Sequence, residues 1–184
     1  MVKRQVLLVR HTEVAVRWTN RCYGCTDVGL SRAGRQHAAE LAAKLAAQPI
    51  TALIHSGLER TAYLARWIAN MNGIELTIDA RWQERNFGTW EGRGWHTIWR
   101  ETGNAMDGMF TDPARYRPGG GETTAELVVR SAAAWAALPA QGAVVVVSHG
   151  GPIAAIRTML AGAPLTEIVN YRVGTGSITA LAPQ

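Results

Sequence analysis

The sequence predicts a three-layer α/β/α sandwich with a mainly parallel central sheet and an irregular lid insertion. Three observations predict it. Val6-Leu7-Leu8-Val9 and Val144-Val145-Val146-Val147 are uninterrupted apolar runs, the pattern of strands buried on both faces. Strand-like runs alternate with longer helix-like segments along most of the chain. Residues 82–122 break that alternation with four tryptophans, frequent glycine and a closing Pro118-Gly119-Gly120-Gly121.

Each element follows from local chemistry. After the first strand, residues 12–30 mix Asn, Gly, Asp and aromatic residues without periodicity and read as a long loop. Ser31 is placed as the N-cap of an alanine-rich helix over about 32–47, stopped by Pro49. Thr51-Ala52-Leu53-Ile54 reads as a second strand, and residues 58–71 as a helix closing before the Asn72-Gly73 turn signal. Glu75-Leu76-Thr77-Ile78 is the third strand. The 82–122 insertion is expected to hold one short helix and to wall one edge of the sheet, because a long irregular segment this aromatic is functional rather than disordered. A helix over about 123–138, the Val144–Val147 strand and a helix over about 151–161 follow. Residues 168–173 and 177–182 read as two final strands joined by Gly174-Thr175-Gly176.

Composition narrows the function. The 184 residues suit one domain spanning 1–184, and 47% hydrophobic with 18% charged residues is globular. No apolar run approaches a membrane span and the chain enters a strand at once, so a cytoplasmic protein without a membrane partner is expected. The formal charge of +5 comes almost wholly from dispersed arginines, with Lys3 and Lys44 the sole lysines. That distribution speaks against nucleic acid and suits a small phosphorylated or carboxylated ligand, because the guanidinium fork binds two oxygens at once. Cys22 and Cys25 form a lone C-x-x-C inside a loop, without the second ligand pair a zinc site needs, and read as free thiols.

Two histidines stand out, because His11 and His149 each follow a buried strand. In a parallel sheet the crevice beyond the carboxyl ends of the strands is the usual ligand site. If the two runs are neighbours, Arg10, His11, Arg60 and His149 converge into a cationic pocket fit for a phosphoryl dianion. One imidazole would attack phosphorus while the other cations neutralise the equatorial oxygens. The leaving alkoxide needs a proton, and partial burial favours the protonated carboxyl that supplies it. Glu84 is a candidate for that role, with Glu91 and Glu122 as competitors. His37 and His96 read as surface residues.

These residues resemble a known superfamily. Leu8-Val9-Arg10-His11-Thr12-Glu13 is similar to the R-H-G-E signature of the histidine phosphatases, the group that includes the cofactor-dependent phosphoglycerate mutases. Ser56-Gly57-Leu58-Glu59-Arg60-Thr61 resembles its S-x-L-x-R-A/T segment. Glu84-x-x-Phe87-Gly88-x-Trp90-Glu91-Gly92 resembles the segment of the proton donor, and Val147-Ser148-His149-Gly150-Gly151 the V-S-H-G-G block. Cys22-Tyr23-Gly24-Cys25-Thr26-Asp27-Val28-Gly29-Leu30-Ser31 looks like the corresponding stretch of the α-ribazole phosphatase-like branch, and Pro118–Glu122 like the turn before the family's next helix. The resemblance implies a phosphohistidine intermediate on His11, Glu84 as proton donor, and substrate contacts from Arg10, Arg60, His149, Tyr23, Gly24 and Gly150. It implies no metal and no cofactor, and leaves a homodimer open. It further implies a metal-independent phosphomonoesterase, with α-ribazole 5′-phosphate of cobalamin nucleotide-loop assembly as a candidate substrate.

Three positions depart from the pattern. Thr12 stands where glycine is usual, Val14–Arg17 lack the expected asparagine, and His55 and Gly57 alter the second motif, with His55 placed near the pocket but outside the chemistry. The runner-up is a phosphomutase, which usually carries extra enclosing segments. A binding protein that has lost catalysis would lack one of Arg10, His11, Arg60, Glu84 or His149, and all five are present.

Overall fold

The structure, a computed structural model, describes residues 4–181. Five strands form one sheet: β1 (Gln5–Arg10), β2 (Ala52–His55), β3 (Leu76–Ile78), β4 (Ala143–Ser148) and β5 (Ile178–Leu181), in the order β3-β2-β4-β1-β5. All neighbours are parallel except β5, which runs antiparallel along β1. The valine run of β4 therefore occupies the middle of the sheet, where both faces are covered, and its four valines are fully buried.

Alternation along the strands sorts the core into two layers. Leu7, Val9, Leu53, Val145 and Val147 face α1 (Arg32–Ala46) and α2 (Glu59–Asn72). Val6, Leu8, Ile54, Val144 and Val146 face α5 (Thr124–Ala136) and α6 (Gly150–Leu160). The predicted sandwich is what forms. Ser31 caps α1, its side chain accepting the Gly34 N–H at 2.8 Å, and Thr123 with Glu126 makes a reciprocal capping box on α5.

Two expectations fail. Residues 168–173 are not a strand: Leu165–Tyr171 is a 3₁₀ helix. Its Ile168 buries against Leu127, Ala154 and Ala155, and the β1 edge a sixth strand would seek is already taken by β5. The second predicted strand is β5, and Ala182, its expected last residue, lies outside the described residues. The 82–122 segment holds more than one short helix, with α3 (Trp95–Thr102) and α4 (Gly108–Thr111) joined by 3₁₀ turns. Its first tryptophan, Trp82, is wholly buried under the α5–α6 layer, while Trp90 packs with Cys22 and Ile98 in a satellite cluster at the insertion. Among the described residues no helix is long and apolar enough to cross a membrane.

Candidate active site

Register builds the pocket. Arg10 pairs with Ser148 across β1 and β4, so the next residue on each strand, His11 and His149, emerges at the same sheet edge. Their rings lie 5.2 Å apart between centroids, tilted by 60°, and both are buried. The Nδ1 of His11 lies 2.7 Å from the Thr12 carbonyl. A carbonyl only accepts, so Nδ1 carries the proton and Nε2 keeps its lone pair. Thr12 itself is buried and donates its hydroxyl to the Gly34 carbonyl at 2.7 Å, which ties this strand end to α1.

His149 sits in a hydrogen-bond chain whose direction is equally determined. Its Nδ1 accepts from Arg60 Nε at 3.2 Å, so in the neutral ring Nε2 bears the proton and donates to Ser56 Oγ at 2.8 Å. Thr61 gives its proton to the Leu58 carbonyl, so Ser56 donates to Thr61 at 2.8 Å. Arg60 is no solvated helix arginine. It is fully buried, donating from Nη1 to the Thr26 carbonyl at 2.8 Å and from Nη2 to the Gly24 carbonyl at 2.6 Å, with its guanidinium 5.2 Å from the Tyr23 ring centroid. Arg10 donates to the Val173 carbonyl, and Gly150 lies against its guanidinium. Arg10 Nε is buried without a hydrogen-bond partner, a donor available to an incoming oxygen.

The three competing carboxylates separate cleanly. Glu84 reaches the first turn of α6, where both its oxygens accept from Gly151 N–H, at 3.1 and 3.2 Å, and Oε1 also accepts from Arg85 N–H at 2.8 Å. Gly151 lets the carboxylate approach, since a Cβ there would stand 2.2 Å from Glu84 Oε1 and would displace it. Glu91 is a staple instead. It accepts from the backbone of Cys25, Thr26 and Phe87 and from the Thr26 hydroxyl, closing the loop that carries Tyr23 and Gly24. Gly24, at φ +28°, brings its backbone so close that a Cβ would lie 2.4 Å from Glu91. Glu122 pairs with Arg130 at 2.7 Å.

Beside Glu84 opens a cavity of about 460 Å³. Arg10, Glu84, Gly150 and Gly151 line it together with Phe87, Trp95, Met109, Phe110, Leu127 and Ile168, and with Arg85 and Arg172. Among the described residues no group of three His, Cys, Asp or Glu side chains is arranged to hold a metal ion.

The family assignment follows from the whole chain. Residues 6–184 match the model of the histidine phosphatase superfamily, branch 1. This chain belongs to the histidine phosphatase superfamily. With the family comes the class of enzyme, a phosphatase. A histidine phosphatase relative from Mycolicibacterium vanbaalenii, named glucosyl-3-phosphoglycerate phosphatase, is 30% identical over 88% of this chain and 76% of its own. A probable phosphoglycerate mutase GpmB from Enterobacter sp. strain 638 is 33% identical over 96% and 84%. The crystal structure of a putative α-ribazole-5′-P phosphatase from Escherichia coli superposes with a TM-score of 0.86 at 24% identity, over 97% of this chain and 89% of that one, a likeness of fold.

Electrostatics keep both pocket histidines of this phosphatase neutral. Burial first, then Arg60, pushes His11 down from 6.5 to about 3, and the same two causes lower His149 well below 6.5. The unfolded chain therefore binds protons that the folded one refuses. The stability this contributes is complete above pH 6.5 and drains as pH falls from 6.5 towards 3. Each histidine adds a slope of about 1.4 kcal/mol per pH unit once its unfolded form is protonated. Urea unfolding of the free enzyme between pH 6 and pH 5 should show a steep loss, and His11→Gln should remove about half of the histidine share. A stability independent of pH across that window would contradict the buried neutral pair.

Of the residues that sequence reading brings together, Arg10, Glu84 and Gly150 line the cavity, His11 lies against His149, and Arg60 joins His149 to Tyr23 and Gly24. His55 is buried beside Ser56, accepting from Gly57 N–H at 3.1 Å, with Arg66 and Glu59 as its charged neighbours. Cys22 and Cys25 are free, and the Cys25 thiol donates to the Glu84 carbonyl. Sequence reasoning missed Ser56 as the partner of His149, although it opens the quoted second motif. It also missed Arg85 and Arg172 on the cavity wall, for which no spacing signal exists.

Proposed function

We propose that this histidine phosphatase is a metal-independent phosphomonoesterase that acts on a small phosphorylated metabolite in the cytoplasm, through a phosphohistidine on His11. The observation that carries the reading is the tautomer of His11. With Nδ1–H held by the Thr12 carbonyl, the Nε2 lone pair of the buried ring is left for phosphorus beside Arg10 and Arg60. Attack forms the Nε2–P bond as the P–O bond to the alcohol breaks, and the same Nδ1–H···O contact supports the positive charge that develops on the ring. Arg10 and Arg60 supply positive charge to the phosphoryl oxygens, the neutral His149 ring frames the pocket beside His11, and the loop of Tyr23 and Gly24 and the turn at Gly150 shape the cradle. Glu84 gives its proton to the departing alkoxide. The resulting carboxylate then takes a proton from water as that water attacks phosphorus, so the N–P bond breaks and His11 returns neutral.

Residues 1–184 act in this reading as one domain, with 82–122 walling the site. Dispersed arginines without a basic tract support a small-molecule partner rather than nucleic acid. The loop 22–31 favours α-ribazole 5′-phosphate among substrates, and the Mycolicibacterium relative puts glucosyl-3-phosphoglycerate beside it. A panel of both with 3-phosphoglycerate and an aryl phosphate ranks them by kcat/KM. A flat ranking would remove the α-ribazole assignment. The second reading, transfer to another hydroxyl, is favoured by the Enterobacter relative, and activity that requires a bisphosphate activator would establish it.

The cationic pocket performs the charge neutralisation for which many phosphatases use Mg²⁺ or Zn²⁺. Activity should therefore be unchanged after prolonged EDTA treatment and gel filtration. A loss restored by a divalent cation would overturn this part of the mechanism.

A further inference from the structure

The cavity beside Glu84 carries positive charge that phosphoryl transfer does not use. Arg85 is 6% exposed, yet among the described residues its guanidinium hydrogen-bonds only the Thr124 hydroxyl, at 2.8 Å, and otherwise lies 5.9 Å from the Phe87 ring centroid. Arg172 lines the same cavity, and its side chain has no hydrogen bond or ion pair among the described residues. The carboxylates nearby are committed elsewhere: Glu84 to Gly151 and Arg85 backbone, Glu122 to Arg130. The charges of Glu84 and Glu122 reach Arg85, but neither carboxylate is hydrogen-bonded to its guanidinium, and a buried guanidinium without a paired anion is costly.

These two arginines form a cluster apart from the phosphoryl cradle. The charges felt by His11 are those of Arg60 and Arg10, whereas Arg85 feels Glu84 and Glu122 first and then the cations Arg172 and Arg130. The wall they share with the cradle is apolar, built from Phe87, Trp95, Phe110 and Leu127. Such a surface binds a ring or hydrocarbon body through area removed from water, and the charges select what that body carries.

We propose that the alcohol half of the substrate has an apolar body bearing a second anionic group, a carboxylate or a phosphoryl group, which Arg85 and Arg172 receive. The proposal rests on the phosphatase reading and narrows its substrate class. A neutral nucleoside-like alcohol leaves both guanidinium groups unanswered.

Three aryl phosphates of nearly equal leaving-group acidity test it: 4-(carbamoylmethyl)phenyl, 4-(carboxymethyl)phenyl and 4-(phosphonomethyl)phenyl phosphate. The methylene insulates the ring, so the probes differ mainly in charge at one position. The enzyme should favour an anionic probe over the neutral one by about tenfold in kcat/KM, the scale of one charge-assisted contact. The carboxylate and phosphonate arms tell which anion the site takes. Arg172→Ala, at an exposed position, should collapse the anionic-to-neutral ratio towards one, and Arg85→Lys should lower it by loss of the fork. If Arg85→Lys fails to fold, Arg172→Ala decides alone. Turnover of all three probes at equal kcat/KM, or a ratio untouched by Arg172→Ala, overturns the subsite and leaves the phosphatase reading standing. No turnover of any probe removes both.

Discussion

His11→Ala should lower kcat/KM for every phosphomonoester by about four powers of ten or more, the usual consequence of deleting a covalent nucleophile. The expectation is specific to this residue because its neighbour cannot substitute. His149 has both nitrogens engaged, Nδ1 by Arg60 and Nε2 by Ser56, so no free lone pair faces phosphorus. Rapid quenching during turnover should trap a phosphoryl group that is acid-labile and base-stable, bound to His11 in the wild type and absent from the variant. The fold should persist, since the substitution removes one hydrogen bond to the Thr12 carbonyl and relieves a buried imidazole beside two arginines. Label on another residue, or a variant that folds and turns over at the wild-type rate, would refute the assignment.

Glu84→Gln should discriminate between leaving groups. An alkyl phosphate needs its departing oxygen protonated and should slow by about two to four powers of ten, the range of general acid catalysis. An activated aryl phosphate leaves as a stable anion and should suffer much less. The amide retains an oxygen to accept from the Gly151 and Arg85 N–H groups, so geometry is kept while the transferable proton is lost. Glu91→Gln is the control. Its carboxylate accepts four hydrogen bonds that hold the 22–27 loop, so its loss should weaken both substrates alike. The ratio of kcat/KM values for the two substrates reads the difference directly. A ratio shifted by Glu91→Gln and not by Glu84→Gln would move the acid to the other carboxylate.

The sheet and the histidine pair were legible because a strand buried on both faces has to be apolar throughout, and only two segments satisfy that so fully. Their adjacency was a condition of that reading, and the parallel pairing of β1 with β4 meets it. Residues 168–173 misled because Ile168, Val169, Tyr171 and Val173 imitate a strand, whereas one buried residue, Ile168, is all the 3₁₀ turn needs. The insertion was opaque for a related reason: glycine and tryptophan obscure the periodicity of α3 and α4. Arg60 read as an ambiguous helix residue because its burial depends on carbonyls from Gly24 and Thr26, which sequence spacing does not bring near. Arg85 and Arg172 meet only through the folding of the insertion over the sheet.

The position of β1 in the sheet has a consequence for how the chain is made. Both of its partners, β4 and β5, lie far downstream, so Val6-Leu7-Leu8-Val9 is made well before its neighbours and finds them late. During most of synthesis this apolar strand has two unpaired edges, the condition under which strands join the wrong partner. Closure spans nearly the full sequence, which makes the final pairing slow relative to local helix formation. The crevice comes into being at that same event, because His11 has no counterpart until His149 arrives. A chain in which β4 has not yet paired with β1 is thus inert as well as sticky, and sheet completion and the onset of chemistry coincide.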